Sequence, residues 1–191
     1  MVTLQFRKHA MSHKKTDEPR GAVAKEYELY IMRHGIAADR DAASTDDAKR
    51  PLTSEGKQKM CEIAAGLVHA GMELDWIVSS PLVRAAETAE IVGEVVGSKT
   101  PHDFCDALKP GGAPEALIAF LAKRPTRRRV LVVGHEPDLG DLAARLIGAG
   151  RNAHLPFKKG GCCLITFNIF PPKLPGMLVW WLPPRIMRKL A

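Results

Sequence analysis

The sequence lacks the features that mark membrane, secreted and fibrous proteins. Its apolar runs fall short of the ~18 residues that a membrane-spanning helix needs. The N-terminus has neither the apolar core nor the small-residue cleavage site of a secretory signal. Glycine and proline are scattered without a period, and no internal repeat is present, which excludes collagen and a long linker. We therefore expect a cytoplasmic globular protein with no membrane partner.

Cysteine is scarce and is not spaced for metal binding. The chain has four, Cys61, Cys105, Cys162 and Cys163, and no pair has the C-x-x-C spacing of a zinc or redox site. Cys162 and Cys163 are adjacent in an apolar stretch, where a strand would point them to opposite faces. We expect reduced thiols in a core, and no metal or other cofactor.

Aromatic residues are also few, at 6%, whereas basic residues are in excess, with a net charge of +7. A basic balance attracts anions such as phosphorylated substrates, polyphosphate or nucleic acid. No aromatic residue is interleaved with the Arg127-Arg128-Arg129 run, which argues against binding of single-stranded nucleic acid. Solvated surface charge is the simpler interpretation of that run, and no obligate nucleic-acid partner is expected.

The length and composition fit one domain with a substantial core. The chain has 191 residues, of which 46% are hydrophobic. Residues 1–26 mix charges with Ser, Thr and Pro and show no periodicity, so we interpret them as an N-terminal extension. Residues 27–191 form the predicted domain. Within it, residues 36–52 are predicted to be a surface loop that lies at the rim of a site.

Strands and helices alternate along the predicted domain. Helices are expected after Thr53, after Ser80-Pro81 with Ser80 as N-cap, and from Pro114 and Pro137. Strands are expected at Tyr27–Met32, Leu74–Val78, near Phe104, and at Val130–Val133, Cys162–Phe167 and Met177–Leu182. This alternation predicts an α/β sandwich with a largely parallel central sheet.

Basic and imidazole side chains follow three of the predicted strands. Arg33 and His34 end the first strand, Arg84 lies in the first helical turn after the second, and His135 follows a later strand. The carboxyl ends of parallel strands meet at one edge of a sheet, where α/β proteins bind ligands. We therefore expect these four side chains in one crevice, with Gly35 allowing the sharp turn after His34.

Two guanidinium and two imidazole groups form a poor metal site and a good phosphoryl site. Guanidinium repels cations and pairs with phosphate oxygens through two parallel hydrogen bonds. A neutral imidazole can attack phosphorus to give a covalent phosphohistidine, and a second imidazole can donate to a phosphate oxygen. With an ordinary pKa of ~6.5, the attacking imidazole would lose activity below that pH.

At these residues the sequence resembles the histidine phosphatase superfamily. The resemblance is carried by Arg33-His34-Gly35, by Ser80-Pro81-Leu82-Val83-Arg84-Ala85 with Thr88-Ala89-Glu90, and by Gly134-His135. The short length, Arg50-Pro51-Leu52-Thr53 with Gly56, and Lys158-Lys159-Gly160-Gly161 resemble its SixA-type phosphohistidine phosphatase branch. The match spans roughly residues 27–185. It implies a three-layer fold of the phosphoglycerate mutase type.

The resemblance also implies roles for the shared residues. His34 would be the phosphorylated nucleophile, Arg33, Arg84 and His135 would bind the phosphoryl group, and Arg50 is a further candidate for substrate binding. Larger relatives carry an acidic residue that protonates an alcohol leaving group. This chain has Lys109-Pro110 in the comparable stretch, so we keep three carboxyls as candidate general acids. They are Asp39, Asp106 and Glu115.

The absence of a clear general acid favours a substrate with a good leaving group. Imidazole leaves phosphohistidine more easily than an alkoxide leaves a phosphomonoester, and phosphoryl transfer is sensitive to that difference. The leading hypothesis is a metal-free phosphatase that acts on phosphohistidine in a partner protein. Two alternatives are a phosphatase of small phosphorylated metabolites or polyphosphate on the same fold, and a non-catalytic phosphate-binding or scaffold module.

Overall fold

The computed structural model describes residues 26–39, 46–97, 99–150, 153 and 155–191. The predicted extension, residues 1–26, lies outside these ranges except for Glu26, and so do residues 40–45 of the predicted surface loop. The described part contains six strands, five α-helices and two short 3-10 helices at Asp47–Lys49 and Asp106–Leu108. No helix in this part is both long and apolar enough to cross a membrane.

The elements alternate largely as the sequence predicts. Their bounds are β1 Tyr27–Arg33, α1 Ser54–His69, β2 Trp76–Ser79, α2 Val83–Val96, β3 His102–Phe104, α3 Pro114–Ala122, β4 Arg129–Gly134, α4 Asp138–Leu146, β5 Cys162–Phe167, β6 Met177–Leu182 and α5 Pro184–Leu190. The predicted bounds of β5 and β6 are confirmed. The terminal helix α5 is not predicted from the sequence.

The strands form one sheet in the order β3-β2-β4-β1-β5-β6. The first four are parallel, whereas β5 runs antiparallel to both β1 and β6. The prediction of a largely parallel sheet is therefore confirmed, with β5 reversed. This topology places the ends of β1, β2 and β4 at a single edge, called here the carboxyl edge. The opposite edge, where these strands begin, is called the amino edge.

Helices cover both faces of the sheet and complete three layers. Leu29 and Ile31 of β1 point into a core formed with α3 and α4, whereas Tyr30 and Met32 point into a core formed with α1, α2 and α5. Cys163 and Cys162 separate between the same two cores, as strand geometry predicts. Burial on both faces explains why β1 and β4 are nearly continuous apolar runs.

The N-terminal caps predicted for α1 and α2 can be compared with the observed helix starts. Thr53 caps α1 as predicted, because its Oγ1 accepts from the Gly56 N–H at 2.9 Å. The prediction that Ser80 caps α2 and Pro81 opens it is wrong, since α2 begins at Val83. The Ser80 hydroxyl instead lies 2.9 Å from the imidazole Nε2 of His135, which is distant in sequence. A tertiary contact thus replaces the predicted local cap.

Candidate active site

The four predicted side chains meet at the carboxyl edge. Backbone hydrogen bonds hold the strand ends in register, with the His34 N–H 3.1 Å from the Gly134 carbonyl and the Ser80 N–H 2.9 Å from the Val133 carbonyl. The rings of His34 and His135 are 5.1 Å apart between centroids. The charges of Arg33 and Arg84 act on both rings. The topology thus brings together two cations and two imidazoles as the sequence predicts.

His34 is buried, with 7% of its surface exposed. Its Nδ1 lies 2.7 Å from the Gly35 carbonyl, which can only accept, so Nδ1 donates and Nε2 of the neutral ring carries the lone pair. Burial lowers its pKa from 6.5 to about 3, and the charges of His135, Arg84 and Arg33 act in the same direction. The pKa of His34 thus lies well below the ordinary value of about 6.5, and the ring is neutral at pH 7.

His135 is also held neutral by its surroundings. Its pKa is lowered from 6.5 to about 4, mainly by burial and also by the charges of Arg84, Arg33 and Arg50, while Asp47 opposes them. Its Nε2 is 2.9 Å from Ser80 Oγ, which also accepts weakly from the Leu82 N–H at 3.3 Å. The strand-to-helix turn after β2 therefore fixes the plane of this ring beside His34.

Arg33 is oriented by the segment that leads into β5. Its Nη1 donates to the Phe157 carbonyl at 2.7 Å. The Gly160 N–H lies 3.1 Å from the Arg33 carbonyl and 3.0 Å from the His34 carbonyl. Gly160 has a φ of +76°, a left-handed conformation that favours glycine. This segment thus braces both the side chain of Arg33 and the backbone that carries His34.

Arg84 is held by a short 3-10 helix that sequence reasoning missed. Its Nη1 donates to the Asp47 carbonyl at 2.8 Å and its Nη2 to Asp47 Oδ2 at 3.0 Å. Asp47 Oδ1 accepts from Arg50 Nε at 2.8 Å, so one carboxylate joins two arginines. Arg84 is 4% exposed, which makes these contacts strong relative to those of a surface pair.

Thr88, which belongs to a motif noted in the sequence but was given no role there, ties helix α2 to the loop after β1. Its hydroxyl donates to the Arg84 carbonyl at 2.7 Å and accepts from the Gly35 N–H at 3.0 Å. Gly35 also permits close packing, because a Cβ there would lie 2.8 Å from Met60 Cγ. In the sequence, Asp47 lies three residues before Arg50, and Thr88 lies four residues after Arg84, one helical turn on the same face; Thr88 also belongs to the motif Thr88-Ala89-Glu90.

The three candidate general acids are exposed carboxyls, and two of them form ion pairs that do not involve the histidines. Asp106 is highly exposed and pairs with Lys109 at 2.8 Å, and Glu115 pairs with Arg145. Asp39 is exposed at the end of the first described range. The acidic group whose charge acts on His135 is instead Asp47. The structure therefore brings Arg50 to the site through Asp47, and places Asp106 and Glu115 in ion pairs of their own.

The donor set suits an anion rather than a metal ion. Within the described ranges, no three side chains of the His, Cys, Asp or Glu types lie close enough together to hold a metal. Guanidinium groups beside neutral imidazoles can bind phosphoryl oxygens, while an imidazole with a free lone pair can attack phosphorus. The arrangement can therefore support phosphoryl transfer.

Comparisons with known proteins agree with this chemistry. The sequence profile of the histidine phosphatase superfamily (branch 1) matches residues 29–109. An uncharacterized protein of Picosynechococcus sp. is 40% identical over 137 residues, which are 70% of this chain and 81% of the relative. The phosphohistidine phosphatase SixA of Escherichia coli is 35% identical over 121 residues, which are 62% of this chain and 73% of SixA.

Comparison with solved structures also indicates a histidine phosphatase. The solved structure of the protein histidine phosphatase SixA complexed with tungstate is 29% identical, with a TM-score of 0.70, and the match covers 84% of this chain and 99% of that one. Together with the sequence relatives, this similarity extends well beyond the segment matched by the family profile. The chain therefore belongs to the histidine phosphatase superfamily, in its SixA-type branch, and is a phosphatase.

Proposed function

We propose that the chain is a protein phosphohistidine phosphatase that works through a covalent phosphohistidine on His34 without a metal ion. One observation carries the proposal. The buried imidazole of His34 is neutral, its Nδ1 donates to the Gly35 carbonyl, and its Nε2 lone pair is available beside arginines. A neutral imidazole with a fixed tautomer is the form that can attack phosphorus.

In the first step, Nε2 of His34 attacks the phosphorus of the substrate. A bond forms between Nε2 and phosphorus, the bond from phosphorus to the substrate's imidazole nitrogen breaks, and the departing nitrogen takes up a proton from solvent. Arg33 and Arg84 offset the charge on the three equatorial oxygens, and His135 donates to one of them. Asp47 and the Phe157 carbonyl hold the two guanidinium groups in place.

In the second step, water attacks the phosphorus of phosphorylated His34. The bond to Nε2 breaks, phosphate is released, and the proton from water passes to solvent. The site loses no atoms or electrons over the cycle. The depressed pKa of His34 ensures that Nε2 is again unprotonated at neutral pH when phosphate leaves.

Several findings support phosphohistidine as the substrate. Asp106 and Glu115, two of the candidate acids, are engaged in other ion pairs, so the site suits a leaving group that needs little protonation. The 35% identical Escherichia coli relative is named a phosphohistidine phosphatase. The structural relative binds tungstate, a tetrahedral oxyanion that resembles phosphate.

The direct test is to trap the intermediate. The purified protein is mixed briefly with a histidine-phosphorylated protein in the presence of a chelator, then quenched in alkali. We expect phosphate on His34 that survives alkali, is lost in acid, and is absent from a His34→Asn variant. Phosphate release without a phosphorylated His34, or activity that needs one divalent ion, would contradict the proposal.

A second function, hydrolysis of small phosphorylated metabolites, is favoured by one structural likeness. A structure described as a putative α-ribazole-5′-P phosphatase of Escherichia coli has a TM-score of 0.63 at 20% identity, which shows a shared fold. The two functions differ in their dependence on the leaving group. We expect kcat/KM to fall steeply from phosphohistidine and aryl phosphates to alkyl phosphates.

The leaving-group series has a matched control in the chain. If Asp106 or Glu115 protonated the leaving group, Asp106→Asn or Glu115→Gln would slow alkyl phosphates selectively and leave aryl phosphates unchanged. A flat dependence in the wild type that steepens in one of these variants would establish a phosphomonoesterase.

A further inference from the structure

A cavity of about 160 Å³ lies next to the candidate active site. Its walls are mainly apolar and include Ile36, Met60, Ile63 and Pro184. The first of these follows His34 by two residues, Met60 and Ile63 belong to α1, and Pro184 opens α5. Because an apolar cavity of about 150 Å³ holds a molecule of the size of benzene, this one has room for a single apolar side chain.

The cavity shares a wall with the backbone that carries His34. Met60 lies beneath Gly35, where a Cβ would be 2.8 Å from its Cγ, and beneath Gly160, where a Cβ would be 3.1 Å from its Sδ. Gly160 in turn donates to the Arg33 and His34 carbonyls. A group in the cavity would therefore lie within a few residues' reach of a phosphoryl group at His34.

The walls are built from closely packed elements, so the cavity is preformed. Helices α1 and α5 approach so closely that a Cβ on Gly66 would overlap the Met187 carbonyl. His69 at the end of α1 also contacts the Leu190 carbonyl, with its Nδ1 at 2.9 Å. A preformed cavity binds a side chain without first ordering its own walls.

Four cations line the cavity, and the residues that the structure describes provide an acidic partner for only two of them. Lys59 pairs with Glu55 and Arg188 with Glu62, so α1 neutralises these two. Lys159 and Arg185 also line the cavity and are exposed, and neither makes an ion pair with any residue in the described ranges. The mouth therefore combines an apolar interior with uncompensated positive charge.

We propose that this cavity is a docking subsite that binds an apolar side chain of the partner protein, with acidic residues beside it contacting Lys159 and Arg185. The proposal rests on the proposed function and specifies which phosphohistidine proteins the enzyme prefers. An apolar interior fits a protein side chain rather than a polyphosphate chain, which would leave these walls without a partner. Complementary charge at the mouth would steer an acidic segment toward the site.

Synthetic peptides test the proposal without altering the enzyme. Three short peptides each carry one phosphohistidine and differ only in the residues close to it. The first has a leucine flanked by glutamates, the second an alanine flanked by glutamates, and the third a leucine flanked by lysines. We expect kcat/KM for the first to exceed that for the second by about tenfold, since a filled apolar pocket discriminates by that order. The lysine peptide should be poorer than the first by about threefold or more.

Enzyme variants then assign the charge effect to the cavity. A Lys159→Gln/Arg185→Gln double variant should lose the preference for glutamate over lysine while hydrolysing an aryl phosphate at the wild-type rate. The control is Lys99→Gln/Lys123→Gln, which removes the same charge from exposed positions near the amino edge. This control should keep the preference.

The outcomes separate the subsite from the proposed function. Equal cleavage of all three phosphohistidine peptides would overturn the docking subsite and leave the phosphohistidine phosphatase intact. Hydrolysis of aryl phosphate but of none of the peptides would overturn both. If Lys159→Gln/Arg185→Gln weakened hydrolysis of short polyphosphates and left peptide preference unchanged, the cavity would be a polyphosphate subsite instead.

Discussion

Both edges of the sheet carry arginines, but the two edges differ in the acidic groups that lie next to these arginines. At the amino edge, Arg127, Arg128 and Arg129 gather around Asp75. Arg129 Nη2 lies 2.7 Å from Asp75 Oδ1, and Arg129 Nη1 pairs with Glu73. Although burial opposes it, hydrogen bonds from Arg129 and Arg128 hold the pKa of Asp75 below its ordinary value. The carboxylates there compensate the guanidinium charge.

At the carboxyl edge, two of three arginines share one carboxylate. Arg84 and Arg50 both contact Asp47, and Arg33 donates to a backbone carbonyl. Beside them, burial depresses the pKa values of His34 and His135 to about 3 and about 4. This edge thus combines excess positive charge with neutral imidazoles, which is the environment that a phosphoryl group requires.

The comparison shows that neither the number of arginines nor the size of a cavity identifies the site. The amino edge has the larger cavity, about 700 Å³, lined by Glu26, Glu28 and Asp75 as well as by Arg127, Arg128 and Arg129. Its acidic lining would repel phosphate. The relation of cations to carboxylates, together with imidazoles at strand ends, distinguishes the proposed catalytic edge, and matched substitutions at the two edges can test this.

Removing the proposed nucleophile should have the largest effect. We expect His34→Asn to lower kcat/KM for a phosphohistidine peptide by on the order of 10⁴-fold or more, because the asparagine amide cannot form the covalent intermediate. The control is His69→Asn, which removes an exposed histidine at the end of α1. Circular dichroism should show both variants folded. Substantial turnover by folded His34→Asn would reject the covalent mechanism.

Replacing an arginine by lysine at each edge should separate geometry from charge. Arg84→Lys keeps the charge but cannot reach both the Asp47 carbonyl and a phosphoryl oxygen through a planar fork. We expect kcat/KM to fall by on the order of 100-fold, or about 2.7 kcal/mol. Arg129→Lys at the amino edge should change activity by less than about twofold. Equal effects at both edges would mean that Arg84 acts only through its charge.

The sequence was informative where topology decides position. Alternating apolar patterns predict parallel strands, and parallel strands bring Arg33, His34 and His135 to one edge whatever the loops do. The capping signal of Thr53 was equally reliable, since it acts within one turn of α1. These features depend on the local residue pattern and on the order of strands and helices along the chain, and both can be read directly from the sequence.

The sequence failed where distant groups compete with local ones. Ser80 has the residue type of a cap, yet its hydroxyl contacts His135. Asp47 meets Arg84 only after the chain has folded, and no spacing rule links them. Helix α5 has seven residues, too few to be stable alone, and it depends on burial of Met187 against α1 and its neighbours. The depressed histidine pKa values likewise arise from burial.

Replacing one aspartate at each edge tests whether the carboxylate of Asp47 positions the arginines of the candidate active site. Asp47→Asn weakens charge-assisted bonds to Arg84 and Arg50, so we expect kcat/KM to fall about tenfold, with recovery in Asp47→Glu. Asp75→Asn at the amino edge should lower the free energy of unfolding but spare activity. Faster turnover in Asp47→Asn would instead show that this carboxylate competes with substrate for Arg84.

The smallest expected effect is a change in the pH dependence of stability. A buried neutral histidine with a pKa of about 3, against 6.5 when unfolded, binds fewer protons than the unfolded chain between those values. Stability must therefore fall as pH decreases through 6.5. For one such histidine, the free energy of unfolding should drop by about 0.7 kcal/mol from pH 7 to pH 6. His34→Asn should lose that much less than wild type over this interval.

Urea unfolding at the two pH values measures the difference directly. His69→Asn, which keeps both buried imidazoles, provides the reference slope. His102, whose pKa burial also lowers, and Glu136, whose pKa burial raises, are present in every protein compared, so their contributions cancel. An identical pH slope in His34→Asn and wild type would mean that folding leaves the pKa of His34 near its ordinary value. The ring would then gain a proton, and its Nε2 would lose the lone pair, as pH falls below about 6.5.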